Sequence, residues 1–181
     1  VYLFAQDFTV HGGAMCVKQA EKILKVLDLA QKTGAPVIAL CDSAGVRLEE
    51  GAQAMNAYAK VYAKMTRLSG VCPMVALVMG PCVGGAALIS QLCDVSIMAE
   101  NVGRLMVYGP QVMSAVSGKT YTDENAGGAK TMAAQGGVAL TAENEDAAIA
   151  LAVQVLDLLP GCNAEDAPLM DTDDMNRVLP E

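Results

Sequence analysis

The chain has 181 residues, a length that fits one domain with a core large enough to fold without disulfide or metal staples. Its net charge is −8, it has no Trp, and aromatic residues make up only 4%, which disfavours a general binder of nucleic acid or of anionic membranes. Its six Cys include no C-x-x-C pair, so we expect free thiols in a reducing compartment and a cytoplasmic protein.

Short apolar runs and amphipathic segments alternate along the first hundred residues. They predict strands at 1–5, 37–41, 74–79 and 95–98, and helices at 14–33, from about 52 to 68, and at 86–93. The second helix is expected to bury Met55, Tyr58, Val61, Tyr62 and Met65. Strands that alternate with helices predict an α/β fold with a parallel sheet.

The stretch 68–93 has no charged residue and is long enough to be a membrane-span candidate. Pro73, Pro81 and several glycines interrupt it, so we expect a buried strand, a glycine turn and a buried helix instead. A last helix is predicted near 147–159, and residues 103–140 are too mixed to assign.

The ends of the chain predict its domain organisation. An apolar strand at the first residue suggests a piece truncated at its start, with no targeting segment to interpret. We expect one domain over 1–161, followed by an acidic linker over 162–181.

Most kinds of catalytic site lack their residues here. His11 is the single histidine and the cysteines lack paired spacing, so no metal site is expected. A G-x-S-x-G elbow, a phosphate-binding loop and a dinucleotide fingerprint do not occur.

Two glycine-containing loops remain, at 41–51 and 79–86, each after a predicted parallel strand, where ligands bind in open α/β sheets. Together they could aim backbone N–H groups at one oxygen, forming an oxyanion hole that needs no titratable side chain. The alternative is that the glycines only permit tight turns and close packing.

Five segments occur in an order that resembles a known family. They are QDFTVHGG (6–13), GAPVI (34–38), DSAGVRLEEG (42–51), MGPCVGGA (79–86) and GGAKT (127–131). Together they resemble the N-terminal half of the carboxyltransferase subunit of biotin-dependent acyl-CoA carboxylases and decarboxylases, of the propionyl-CoA carboxylase β and methylmalonyl-CoA decarboxylase α type.

The resemblance implies a crotonase-like ββα spiral. It also implies an enzyme that moves a carboxyl group between carboxybiotin and the α-carbon of an acyl-CoA. The family's two oxyanion loops fall on residues 42–47 and 80–86. The resemblance therefore assigns the backbone N–H groups of Ala44 and Gly45 to one side of the hole and those of Gly84 and Gly85 to the other. Arg47 and Lys130 lie in matching motifs and are assigned to coenzyme A.

Several partners follow from the same resemblance. Biotin would be attached to a biotin carboxyl carrier protein or domain, and the chain would need a C-terminal carboxyltransferase half and a homo-oligomer. Alone it is expected to bind acyl-CoA weakly and to be inactive. The sequence departs from the family pattern at Ala44, Val46, Met132 and Leu140, which leaves the substrate class open.

Two other functions stay open at this point. A crotonase-like hydrolase or peptidase would use Ser43 or Ser90 as nucleophile, with His11 as its base. A non-catalytic acyl-CoA-binding domain would use the same loops without chemistry.

Overall fold

A parallel sheet organises the computed structural model, which describes residues 1–169. The strands are β1 (Tyr2–Ala5), β2 (Val37–Ser43), β3 (Met74–Val83), β4 (Val95–Ala99), β5 (Arg104–Met106) and β6 (Leu140–Ala142). The helices are α1 (Val17–Thr33), α2 (Ala52–Leu68), α3 (Gly85–Gln91), α4 (Pro110–Ser117), α5 (Asp123–Gly127), α6 (Ala129–Ala134) and α7 (Glu145–Asp157). Short 3₁₀ turns occur at His11–Gly13 and Leu48–Glu50.

The sheet runs in the order β1-β2-β3-β4-β6, and its strand pairs are parallel. β3 occupies the centre and has a further parallel partner, β5, beyond the end of β4. The predicted α/β fold with a parallel sheet is confirmed.

Alternating residues of β3 build the core on both faces of the sheet. Met74, Ala76 and Val78 pack with α1, α2 and α3 on one face. Val75 and Leu77 pack with α7 on the other. This is the two-residue period of a strand covered on both sides, and it explains why the run is apolar throughout.

Two local predictions are corrected. Residues 80–83 continue β3 instead of forming a turn, because they pair with β5 from the region that the sequence left unassigned. Met55 is 68% exposed instead of buried, whereas Tyr58, Val61 and Met65 are buried as expected. Within residues 1–169, no helix combines the length and apolar character needed to cross a bilayer.

Contact with the domain continues past the predicted boundary at residue 161. Cys162 packs against the core, and the Asn163 N–H donates to the Val71 carbonyl at 2.9 Å. The remainder of the predicted linker, 170–181, lies outside the described residues.

Candidate active site

The structure brings the two glycine-containing loops together at one edge of the sheet. Ser43, at the end of β2, pairs with Cys82 of β3, so both loops leave the sheet side by side. A β-carbon placed on Gly45 would lie 3.1 Å from the Val83 carbonyl oxygen. The backbones of the two loops are therefore in direct contact at Gly45.

In the first loop, the two amides predicted as oxyanion donors are already bonded. The Ala44 N–H donates to the Gly12 carbonyl at 2.8 Å, and the Gly45 N–H donates to Ser43 Oγ at 3.1 Å. The expectation that these two groups are free is therefore corrected. Their acceptors come from a distant turn and from a side chain that the motif alone does not orient.

In the second loop, one backbone amide is hydrogen-bonded and the next two are not. The Gly84 N–H donates to the Met106 carbonyl at 2.9 Å, so this predicted donor is also occupied. The next two amides, those of Gly85 and Ala86 at the start of α3, have no acceptor among residues 1–169. Of the four predicted donors, only Gly85 is open.

The open donor of the first loop is Val46, which sequence reasoning missed. Val46 forms an isolated parallel bridge with Met15, in which the Met15 N–H donates to Gly45 O and the Arg47 N–H donates to Met15 O. The Val46 N–H takes no part in this bridge and has no acceptor in the described part of the chain. No local motif shows this, because Met15 lies about thirty residues away in sequence.

Two tyrosines of α2 contact both loops. The Tyr58 hydroxyl donates to Gly45 O at 2.9 Å, and the Tyr62 hydroxyl donates to Gly85 O at 2.6 Å. Their rings stack with centroids 5.6 Å apart. Burial raises the pKa of Tyr62 to about 12 and that of Tyr58 further, so both phenols are protonated at neutral pH.

Asp42 lies under the loops and is only partly satisfied. Its Oδ2 accepts the Phe8 N–H at 3.2 Å, whereas its buried Oδ1 has no partner in the described residues. Burial raises the pKa of this carboxyl, and the nearby Asp7 raises it further.

The two predicted coenzyme A ligands occupy different surroundings. Arg47 lines a cavity of about 350 Å³ that also contains Lys18, Lys22, His11 and Asp7. Two of these cations also have acidic partners, since Lys18 Nζ lies 2.9 Å from Glu21 and Arg47 Nε lies 3.8 Å from Glu49. Lys130 is exposed at the start of α6.

A second cavity of about 350 Å³ adjoins the second loop and is almost wholly apolar. Met106, whose carbonyl binds the Gly84 amide, lies in its wall. Leu88, Tyr108, Met113 and Met132 line it as well. Met132, one of the departures from the family pattern, therefore contributes apolar surface beside the site.

The residues required for a serine hydrolase are not assembled. Ser43 and Ser90 are fully buried, and the Ser90 hydroxyl donates to the Ala87 carbonyl at 2.8 Å. His11 is exposed and its side chain makes no hydrogen bond within residues 1–169. In the same residues, no group of three His, Cys, Asp or Glu side chains could hold a metal ion.

Comparison with protein families gives one match, to the carboxyl transferase domain, over residues 1–181. The chain belongs to the carboxyl transferase domain family. It is 43% identical over 190 residues to the methylmalonyl-CoA decarboxylase α subunit of Veillonella parvula, covering all of this chain and 37% of that relative. It is 39% identical over 183 residues to the mitochondrial propionyl-CoA carboxylase β chain of Sus scrofa, covering all of this chain and 34% of that one.

Among solved structures, this carboxyl transferase domain resembles transcarboxylase 12S, whose crystal structure holds hydrolysed methylmalonyl-coenzyme A. The TM-score is 0.89 at 35% identity, over 95% of this chain and 34% of that one. The predicted family and the crotonase-like fold class are thereby confirmed. The chain spans about a third of the length of these relatives.

Proposed function

We propose that this chain is the acyl-CoA-binding part of a biotin-dependent carboxyltransferase. In this proposal its open loop amides hold the thioester oxygen while a carboxyl group moves to or from the α-carbon. One observation carries the proposal: a chain of this family presents unbonded N–H groups at Val46 and Gly85, on two loops that touch.

The chemistry needs charge stabilisation at the thioester oxygen. When the α-proton leaves, the electron pair of the C–H bond delocalises onto that oxygen and forms an enolate. In the carboxylation direction the enolate carbon then bonds to the carbon of the CO2 that carboxybiotin would release, and the biotin nitrogen, which would keep the electron pair of the broken N–C bond, would take up the α-proton. Each donor aimed at such an oxyanion contributes about 2.7–4 kcal/mol to lowering the barrier. The amides of Gly85 and Val46, one from each loop, would supply these donors, whereas Ala86 is fully buried and its N–H does not reach a substrate.

In this proposal the base comes from outside this chain. Tyr58 and Tyr62 are the titratable side chains that contact the loop carbonyls, and their raised pKa values keep them protonated. Such surroundings fit a reaction whose base arrives with the second substrate. Carboxybiotin, carried by a partner protein or domain, supplies both the carboxyl group and that base.

The two cavities accommodate the ends of the thioester. Phosphates of coenzyme A require cations, and Arg47 shares its cavity with two lysines although the chain is acidic overall. The apolar cavity beside Gly84 accepts an acyl chain. The remaining partners in this proposal are a C-terminal carboxyltransferase half, a biotin carrier and further copies of the subunit.

A panel of acyl-CoA thioesters, tested on the full-length subunit with free biotin as acceptor, decides the substrate and the direction. Replacing Gly85 by Ala would place a β-carbon 2.8 Å from Tyr62 Oη and displace the donor. We expect kcat to fall by about 10²-fold, near the loss of one oxyanion donor. If Gly85→Ala keeps full carboxyl transfer, the site binds acyl-CoA without catalysing at these amides.

A further inference from the structure

Tyr58 and Tyr62 each donate a hydrogen bond to a backbone carbonyl of one of the two loops. Gly45 O, which accepts the Tyr58 hydroxyl, immediately precedes the open amide of Val46. Gly85 O, which accepts the Tyr62 hydroxyl, belongs to the residue that carries the open amide of the second loop. We propose that Tyr58 and Tyr62 are positioning residues that orient the N–H groups of the oxyanion hole. This inference rests on the proposed function.

Peptide planarity links Tyr58 to the Val46 amide. The carbonyl of Gly45 and the N–H of Val46 belong to one planar trans peptide, in which they point in opposite directions. Fixing Gly45 O with the Tyr58 hydroxyl therefore fixes the direction of the Val46 N–H. The Tyr62 hydroxyl acts differently: it binds the carbonyl of Gly85, the residue that carries the open N–H of the second loop, and so limits the movement of that residue.

The hydroxyls also strengthen the donors. A hydrogen bond accepted by a peptide carbonyl polarises the N–H of the same group, and the effect is larger at low dielectric. Tyr58 is 4% exposed, and the Met15 N–H donates to the same Gly45 oxygen at 2.8 Å. The Val46 N–H therefore belongs to a peptide group whose carbonyl oxygen accepts two hydrogen bonds.

The two tyrosine rings pack against each other and form one unit between the loops. They lie one helical turn apart on α2, and they stack at an interplanar angle of 26°. A β-carbon on Gly85 would lie 2.9 Å from the Tyr58 ring and 2.8 Å from the Tyr62 hydroxyl. Tyr58 thus touches both loops, so the distance between the loops depends on this pair.

The test replaces each hydroxyl by hydrogen in the full-length enzyme, with Tyr58→Phe, Tyr62→Phe and the double variant. Tyr2→Phe is the matched control, since Tyr2 is half-buried on β1 and its hydroxyl makes no hydrogen bond within residues 1–169. We expect each single variant to lower kcat for carboxyl transfer about tenfold, with KM for acyl-CoA within twofold of wild type. The control should match wild type.

A second readout separates positioning from packing. An acyl-CoA analogue with a nitro group on the α-carbon ionises readily at that carbon and places negative charge on its thioester and nitro oxygens. In the Phe variants the affinity of the enzyme for this analogue is expected to fall by the same factor as kcat. The melting temperature is expected to fall by no more than the loss of one hydrogen bond per hydroxyl accounts for. Two results would overturn the role of the tyrosines. One is an unchanged kcat; the other is a lower kcat accompanied by a higher KM and a lower stability, as expected of a general packing defect. An inactive wild-type enzyme would instead refute the proposed function, and this inference with it.

Discussion

Gly80→Ala tests whether the two loops are packed as tightly as the structure shows. Gly80 is buried in β3, and its φ is outside the left-handed region, so a side chain is not excluded by the backbone. The obstacle is steric. An added β-carbon would lie 2.6 Å from Asp42 Cγ and closer still to Asp42 Oδ1.

The expected loss of stability follows from two contributions. Asp42 must move, and overfilling a packed site costs about 1–3 kcal/mol. Moving it breaks the 3.2 Å hydrogen bond from the Phe8 N–H to Oδ2, which is worth about 1 kcal/mol. Together these give a decrease of about 2–4 kcal/mol in the free energy of unfolding, or about 4–16 °C in Tm for a chain of this size.

Urea unfolding followed by circular dichroism measures this decrease. Gly109→Ala is the matched control, because its added β-carbon meets nothing within 4 Å and its φ of −63° suits any residue. We expect it to change stability by less than about 0.5 kcal/mol. In an Asp42→Ala background, Gly80→Ala should lose most of its cost. If Gly80→Ala unfolds like wild type, the close packing of Gly80 on Asp42 does not hold.

Three further predictions concern charge. Because the pKa of Asp42 is raised in the fold, its stabilising contribution is present at low pH and is lost as pH rises through that pKa. The free energy of unfolding of Asp42→Asn, measured from pH 3 to 7, should therefore increase progressively relative to that of wild type. Arg47→Gln and Lys130→Gln are each expected to raise KM for acyl-CoA about two- to fivefold while the exposed Lys32→Gln does not, and a rise in all three would indicate a general charge effect. In an alkaline titration of phenolate absorbance, Tyr62→Phe should remove an ionisation near pH 12, and loss of one near pH 10 would contradict its burial.

Most of the fold could be predicted because its signals are local. The buried face of α1 (Ala20, Ile23, Leu27 and Ala30) follows from the helical period, and the unbroken apolar run of β3 follows from cover on both faces. The extension of β3 to Val83 could not, because it depends on pairing with β5 about twenty residues later. Met55 has the apolar character of a core residue, but α2 turns it towards solvent.

The candidate site shows the same division between local and distant information. The sequence located both loops, since small residues after buried strands are a local pattern, and Gly85 as a donor was implied by the family resemblance and stays a prediction. It did not show which amides are already bonded. Ala44 is occupied by Gly12 and Gly84 by Met106, and Val46 is left open by its bridge to Met15. The tyrosine contacts were likewise hidden, because the pattern predicts only that these rings are buried.

The central position of β3 has a consequence for how the protein exchanges hydrogen with solvent. At 75–78 this strand is paired with β2 on one side and β4 on the other, so its amides should be released only by global unfolding. Seven residues after Val78, the Gly85 amide has no bond to break. Deuterium protection is therefore expected to fall steeply over these seven residues. The best protected strand thus leads directly to the amide that we propose as an oxyanion donor, and that amide is held by no hydrogen bond among the described residues.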